Sequence, residues 1–453
     1  MGSQIRRGLE DRISKLPDAV LCHILSFMPT KYAVLTSVLS KRWQYLWTTV
    51  PTLDFDMTQL FLDVDELSDE RDKEVCRMFE HFVNRVLLLS DGPCFRKFHF
   101  KGILKDFDHV DSWISFAVKR NVQDLKLYNL HEDEDRVGLP VLPHIIFTCK
   151  TLSVLTLFGV LVDVRRSVWL PSLKILNLEL VKYEDSNTIQ VLLSGCPVVE
   201  ELCIRMWIGD TSKVLDISVP TLKRLMLFYL RDNFEDGFKL VLDIPQLEYL
   251  DLLDHVSDEF FLSNLKSLSK ASIMVGPTIS AANSSNGEGL RVYNLLSGIS
   301  RVQFLDTHFS FEIDTDGYLL PTFQNLTRFK FGGILNLNLL ADFLQCSPIL
   351  EVLILQVWYD EAIKFWNPPK QVPSCFSCLK EIQIEGFRGR GYELEMLEYF
   401  LQNSKVLGKM TIGHVSPDDC FCGKLVAFRK ESKTCRIDVN CLKHRRIVEP
   451  KQG

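Results

Sequence analysis

One spacing of apolar residues fills most of the chain: an apolar residue, two others, a second apolar residue, one other, and a third apolar residue. Thirteen copies occur, and successive copies begin about 26 residues apart on average. The second and third apolar residues stand two positions apart, so both point to one face of a short strand and the residue between them points to the other. The copies begin at Phe95, Val122, Leu152, Leu173, Val199, Leu222, Leu247, Leu268, Val302, Leu326, Leu350, Leu379 and Leu407.

Between several copies, the apolar residues follow the spacing of a helix instead. Val110, Trp113 and Ala117 share one helical face, and 188–194 and 339–345 behave in the same way. A strand, a turn, a helix and a turn at this period are typical of leucine-rich repeats. We therefore predict an α/β fold: a short N-terminal helical module, then an irregular leucine-rich-repeat solenoid with its parallel sheet on the concave side and helices outside. The repeats are irregular because most copies lack the usual asparagine.

The region 11–47 lies outside this pattern and is dense in apolar residues. It predicts three short helices: Pro17 stands at the first helical position, Pro29 separates the first two, and the third carries Trp43 and Trp47 on one face. Helices this short cannot bury so much apolar surface among themselves. The surplus either packs onto the neighbouring domain as a cap or docks another protein.

The apolar residues of this region resemble an F-box in order and spacing. The match runs through Leu16, Pro17 and Asp18, then Ile24 and Leu25, then 37–43, and ends at Leu46 and Trp47. The resemblance, which is to plant-type F-box proteins, implies binding of the Skp-type adaptor of a cullin–RING ubiquitin ligase. The residues that we expect at the adaptor are Leu16, Pro17, Val20, Ile24, Leu25, Leu35, Val38, Leu39, Trp43, Leu46 and Trp47.

The C-terminal part has a resemblance of its own. Residues 378–389 and 395–404 resemble the FBD module that follows the repeats in many plant F-box proteins, and their own pattern predicts a strand, a glycine turn, a helix and a strand. No biochemical activity follows from that resemblance. We expect four regions: an F-box over 1–50, a linker and capping helix over 51–92, leucine-rich repeats over 93–374, and an FBD-like region over 375–453 that continues the repeats.

Three connecting segments complete this plan. Residues 50–56 predict an extended exit from the helical module, followed by an acidic linker. An amphipathic helix over 75–87 precedes the first repeat. Residues 278–289 have the composition of a surface loop that interrupts the repeats.

Composition and charge narrow the function. A hydrophobic content of 46% with 24% charged residues indicates a folded protein. The net charge of −6 at pH 7 is thinly spread, which argues against nucleic-acid binding. No apolar run is long enough for a membrane helix, and no secretory signal is visible. The thirteen cysteines are therefore predicted to be reduced thiols, and we expect the protein in the cytoplasm, the nucleus or both.

The candidate chemistry points away from an enzyme. Residues 386–391 carry three glycines before a predicted helix, but they lack the end of a phosphate-binding loop, so we interpret them as a strand-to-helix turn. Cys375 and Cys378, and further on Cys420 and Cys422 with His414 and Cys435 nearby, raise the question of zinc. Cys378 directly precedes a predicted strand, however, and Cys420 and Cys422 have the wrong internal spacing for a common structural site. No nucleophile-elbow, HExxH or kinase-like motif occurs. We therefore expect no catalytic residue, no metal and no cofactor.

The function implied is that of a substrate-recognition subunit of an SCF-type ubiquitin ligase, whose repeats hold an unknown target protein. The predicted concave face carries aromatic and arginine side chains, which are favoured at binding hot spots. Two alternatives stay open: an interaction scaffold without ligase function, and a small-ligand receptor on the concave face. The candidates for target contact are Tyr128, Arg205, Trp207, Arg224, Phe228, Tyr249, Arg328, Lys330 and Trp358.

Overall fold

The chain forms two compact units, Met1–Val199 and Glu200–Gly453, each built on parallel strands. The computed structural model describes residues 13, 15–60, 69–103, 109–130, 139–164, 167–206, 214–229, 238–255, 257–276, 287–309, 319–334, 337–358, 368–369, 371–414, 425, 428–441 and 445–448.

The first unit begins with short helical segments and continues as a parallel sheet. Its elements are α1 (Asp18–Leu25), α2 (Thr30–Leu35), 3-10 helices at Thr36–Val38 and Trp43–Thr49, β1 (Thr52–Asp56), a 3-10 helix at Met57–Leu60, α3 (Asp69–Leu89), β2 (Lys97–Gly102), α4 (Val110–Lys119), β3 (Asp124–Asn129), a 3-10 helix at His144–Thr148, β4 (Val154–Phe158), β5 (Leu161–Val162), β6 (Ile175–Glu179), β7 (Lys182–Tyr183) and α5 (Thr188–Ser194). Strands β1, β2, β3, β4 and β6 pair in parallel in this order, and β5 pairs with β7.

The second unit likewise alternates sheet strands with connecting segments. Its elements are β8 (Glu201–Met206), β9 (Val214–Ile217), β10 (Arg224–Tyr229), β11 (Phe238–Asp243), β12 (Tyr249–Asp254), β13 (Ser257–Ser263), β14 (Lys270–Val275), α6 (Gly287–Gly298), β15 (Phe304–Phe309), β16 (Arg328–Ile334), α7 (Leu337–Cys346), β17 (Val352–Trp358), a 3-10 helix at Ser374–Ser377, β18 (Glu381–Phe387), α8 (Gly391–Asn403), β19 (Lys409–His414), β20 (Arg436–Cys441) and β21 (Arg445–Val448).

The strands of the second unit form two sheets. The main sheet runs β8-β10-β12-β14-β15-β16-β17-β18-β19-β20-β21, and its β20–β21 pair is antiparallel. Strands β13, β11 and β9 form a small parallel sheet of their own. These three short strands take the place of helices as the connections in the middle repeats.

The repeat pattern accounts for most strands of both units. Each of the thirteen copies contributes one strand, and the second and third positions of every copy are buried. Equivalent positions lie side by side, so Leu225 pairs with Leu202 on one neighbour and with Leu250 on the other. Even the two weakest copies obey the rule, since Ala271 and Thr307 are fully buried. The predicted fold class is confirmed.

The sequence analysis missed three strands that extend the same sheets: β1, β20 and the antiparallel β21. Val50, Leu53 and Phe55 have the repeat spacing, and β1 pairs in parallel with β2, with Leu53 beside Phe98. This stretch, predicted as an extended exit, is therefore a strand of the sheet. β20 continues the main sheet in parallel although Thr434 stands where the pattern expects an apolar residue.

The predicted helices are present with shifted ends. Helix α3 covers the predicted 75–87, and α1 begins at Asp18, so Pro17 precedes the first helical residue rather than occupying that position. The second helix gives way after Leu35 to a 3-10 helix. The predicted loop 278–289 falls mostly outside the described residues.

Candidate functional site

An arginine ties the entry of α1 to the third helical segment. Arg42 Nε donates to Asp18 Oδ1 at 3.0 Å, and a terminal nitrogen of Arg42 donates to the same oxygen at 2.6 Å and to the carbonyl of Leu16. Both side chains are partly exposed. The turn at Leu16, Pro17 and Asp18 is thereby held against the segment that follows α2, 24 residues along the chain from Asp18.

Part of the expected docking set is the interior of this helical module. Leu25 is 1% exposed, and Trp43, Leu46 and Trp47 are also buried. These four side chains therefore form part of the core of the module, and their contact with an adaptor stays a prediction. Trp43 and Leu46 stand three residues apart in the 3-10 helix Trp43–Thr49, a spacing that places two side chains on one face of such a helix.

The module is also fastened to the strand that follows it. Thr52 Oγ1 donates to the carbonyl of Ser26 at 3.1 Å, and Asp54 N donates to Thr30 Oγ1 at 2.7 Å. Lys31 Nζ donates to the carbonyl of Gln59 at 3.0 Å. One side of the helices therefore packs on β1 and its continuation, which is the capping role considered from the sequence.

The module also carries apolar side chains that the described residues leave exposed. Val38 is 81% exposed and Phe27 is 75% exposed, whereas Leu16 is half-buried and Pro17 exposed. Large apolar side chains left exposed in such number within one short module are typical of an interaction site. We call the following residues the exposed F-box face: Ile13, Pro17, Val20, Ile24, Phe27, Tyr32, Leu35, Val38, Leu39 and Tyr45.

Four of those residues were not among the sequence candidates. Ile13 precedes the motif, and Phe27, Tyr32 and Tyr45 fall between its matched positions. Their apolar character was visible, but the segments are too short for periodicity to decide which side is buried. Only the packing on β1 separates the two sides.

The repeat candidates lie on the polar side of the strands, opposite the buried leucines. In the first unit, the Tyr128 and Phe158 rings stack with centroids 5.7 Å apart, and burial raises the pKa of Tyr128. In the second unit, the Arg205 guanidinium lies 5.6 Å from the Phe228 ring centroid. The second unit also places Arg224, Tyr249, Arg328 and Lys330 on this side, while Trp207 and the side chain of Trp358 fall outside the described residues.

The glycine-rich stretch before α8 is a turn closed by a carboxylate. Glu393 is 1% exposed, and its Oε2 accepts from the backbone N–H of Arg390 at 2.8 Å and of Arg388 at 3.2 Å. Gly386 and Gly389 have φ angles of 78° and 79°, which only glycine adopts without strain. The N–H groups that a phosphate would need are thus already occupied, in agreement with the turn interpretation.

Glu393→Ala should loosen this turn, and Glu393→Gln should largely preserve it, because the amide oxygen can still accept both hydrogen bonds. We expect the alanine variant to lose about 1–2 kcal/mol of the free energy that stabilises the turn and the start of α8. Burial raises the pKa of Glu393, so its ionisation costs stability as the pH rises from the unfolded carboxyl's pKa through the folded one. Amide hydrogen exchange in α8 measures the effect of each substitution and the effect of pH. Equal protection of α8 in the alanine and glutamine variants would contradict the role of Glu393 in closing the turn.

Burial disfavours the thiolate form of two cysteines among the zinc candidates. Burial raises the pKa of Cys375 to about 12 and that of Cys435 to about 11, which disfavours the thiolate that zinc requires. Cys420 and Cys422 fall outside the described residues. Within the described ranges no group of three metal-ligating side chains comes together, and no helix is both long and apolar enough to cross a membrane.

Comparison with known families matches three consecutive parts of the chain. An F-box domain model matches 13–54, the leucine-rich repeats of an FBD-associated F-box protein (At5g56370) match 110–355, and an FBD model matches 367–412. The exposed F-box face lies within the first match, and strands β3 to β16 lie within the second.

Relatives from Arabidopsis thaliana match over nearly the whole chain. FBD-associated F-box protein At4g10400 is 33% identical over 89% of this chain and 92% of its own length. F-box/FBD/LRR-repeat protein At5g22660 is 32% identical over 96% and 98%, and putative F-box protein At3g58860 is 35% identical over 89% and 88%. The chain is an F-box protein and belongs to the plant F-box/FBD/LRR-repeat family. An F-box domain implies binding to a Skp-type adaptor.

Proposed function

We propose that this protein is the substrate-recognition subunit of an SCF-type cullin–RING ubiquitin ligase. The observation that carries the proposal is the exposed F-box face: the helical module is fastened to β1, and it still offers exposed apolar side chains such as Val38 and Phe27 to a partner. The Skp-type adaptor covers this face. The direct contacts are Leu16, Pro17, Val20, Ile24, Leu35, Val38 and Leu39, together with the newly found residues of the face.

The mechanism is positional. The F-box holds the adaptor, and through it the cullin–RING complex, while the repeats hold a target protein. The target's lysines then meet the ubiquitin-conjugating enzyme at a raised effective concentration. In this proposal residues 1–50 dock the adaptor, 93–374 supply the target surface, and the chain contributes no bond-making residue and no cofactor.

Proximity labelling in plant cells, with protein degradation blocked, tests this function. Full-length wild type should label a Skp-type adaptor, a cullin and one or more further proteins. A full-length Val38→Asp/Leu39→Asp variant should lose the first two and keep the others, because the repeats are untouched. When degradation is allowed, the abundance of those other proteins should fall in cells that express the wild type and stay constant in cells that express the variant.

A scaffold without ligase function is the second candidate, because the helices do cap the sheet through Thr30 and Thr52. A scaffold predicts the same repeat-bound neighbours for both chains and no decline of any of them. That result would replace the ligase proposal.

A further inference from the structure

On the polar side of the second unit's main sheet, basic and aromatic residues alternate from strand to strand. They occupy the first residue of five neighbouring strands, β10, β12, β14, β15 and β16, which pair in register. We call these residues the cation–aromatic row: Arg224, Tyr249, Lys270, Phe304 and Arg328.

Each ring of the row contacts the cations beside it. The Arg224 guanidinium lies 4.8 Å and Lys270 Nζ lies 5.3 Å from the centroid of Tyr249. Lys270 Nζ lies 4.9 Å and the Arg328 guanidinium 5.9 Å from the centroid of Phe304. Stacking on rings restrains these flexible side chains before any ligand arrives, which reduces the entropy lost on binding.

Two of the row's three cations have no carboxylate paired with them among the described residues. Arg224 has Glu201 at 3.8 Å, but neither Lys270 nor Arg328 forms an ion pair with another residue that the structure describes. All three basic side chains are exposed. The row therefore presents positive charge, fixed in place, to whatever binds this side of the sheet.

The adjacent positions on the same strands carry carboxylates that are already engaged. Asp306 lies 2.9 Å from Lys330 Nζ, and Asp251 accepts from the Tyr249 hydroxyl at 3.3 Å. A nucleic-acid backbone would bring its phosphates against these two aspartates as well as against the cations. The arrangement favours a ligand that is narrower than a nucleic acid and whose negative groups lie along the row without reaching the two aspartates.

The spacing of the cations specifies the form of that ligand. They stand on alternate strands, roughly 9.6 Å apart. A polyproline II segment rises about 9.3 Å in each turn of three residues, so every third side chain faces the sheet at nearly this interval. A β-strand repeats one face about every 6.7 Å, which puts it out of step at the second cation, and a helix repeats one face about every 10.5 Å, which puts it out of step by the third.

We propose that the cation–aromatic row binds an extended acidic segment of the target protein in which carboxylates recur at every third residue. The carboxylates pair with Arg224, Lys270 and Arg328, and the arginines can donate two parallel hydrogen bonds while stacked on their rings. The intervening residues of the segment lie over Tyr249 and Phe304. This inference rests on the proposed function, which supplies a target protein, and it adds the chemical character of the target segment that binds.

Fluorescence anisotropy at low salt tests the row directly, with the full-length chain and end-capped synthetic peptides as probes. Three Glu-Pro-Pro repeats should bind at least about tenfold more tightly than a peptide of the same composition with its glutamates grouped, and than three Gln-Pro-Pro repeats. Equal binding of the two glutamate peptides, or no binding of either, would overturn the proposed spacing. Tighter binding of a single-stranded oligonucleotide would overturn the ligand class.

Variants locate the binding and separate it from the F-box. Lys270→Glu/Arg328→Glu should weaken the Glu-Pro-Pro peptide at least about tenfold. Lys409→Glu, a matched reversal at the same strand position in β19, should leave it within about twofold. Both variants should still bind the adaptor. If the wild-type chain itself did not bind the adaptor, that result would count against the proposed function and not against the row. Equal loss in the two variants would refute the row as the site.

Discussion

Val38→Asp/Leu39→Asp will abolish binding of a Skp-type adaptor while leaving the fold intact. Val38 is 81% exposed and Leu39 is 65% exposed, so the chain loses no core packing when they become charged. In the complex each aspartate would have to be buried against apolar surface. Truncating one such anchor commonly costs about 2 kcal/mol or more, so the two changes together should cost about 4 kcal/mol and lower the affinity about 1000-fold. Calorimetry with the purified full-length chain measures the change.

Leu88→Asp is the matched control for this experiment. Leu88 is an equally exposed apolar residue, at 84%, but it belongs to α3 and lies outside the exposed F-box face. Its replacement should leave adaptor affinity within about twofold of wild type. Equal affinity in all three proteins would show that the adaptor, if bound, uses another surface.

Arg291→Met will destabilise the second unit by about 3–5 kcal/mol, because it leaves a buried carboxylate without its cation. Arg291 is 1% exposed, lies 3.5 Å from Asp254, and donates to the carbonyls of Gly276, at 2.8 Å, and Ser257. Its guanidinium also lies 5.4 Å from the Phe260 ring centroid. One side chain thus joins α6 to β12, β13 and the end of β14.

Hydrogen exchange over 249–275 and 287–298 reports this loss locally, which a whole-chain melting curve would not resolve. Arg301→Met removes an exposed arginine just beyond α6 and should change protection by no more than about 0.5 kcal/mol. If Arg291→Met behaved like that control, the buried pair would not be holding α6 in place.

The repeat architecture was predictable because strand periodicity is short and repeated many times. In a strand the side chains alternate between two faces, so the spacing identifies the face that carries Leu225 or Leu353 as the buried one. All thirteen copies have the same buried face. β20 was missed because Thr434 broke the pattern, and β1 because its copy adjoins the helical module and was assigned to the exit from it. The replacement of helices by β9, β11 and β13 had no comparable signal.

The docking residues were predictable as a region but not one by one. The motif marked the right stretch, yet it joined buried Trp43 and Trp47 with exposed Val38 in one set. In segments of one or two turns, neighbouring elements decide which side is buried. The contribution of β1 was invisible while that strand was taken for a linker. The cation–aromatic row was equally hidden, because it exists only once strands far apart in sequence pair in register.

Hydrogen exchange of the full-length chain, with and without a Skp-type adaptor, tests the central claim most directly. The account predicts that the adaptor slows exchange of amides within 18–49 and leaves the strands β10 to β16 unchanged, because the adaptor covers the exposed F-box face alone. Unchanged exchange over 18–49, or protection confined to the repeats, would contradict it.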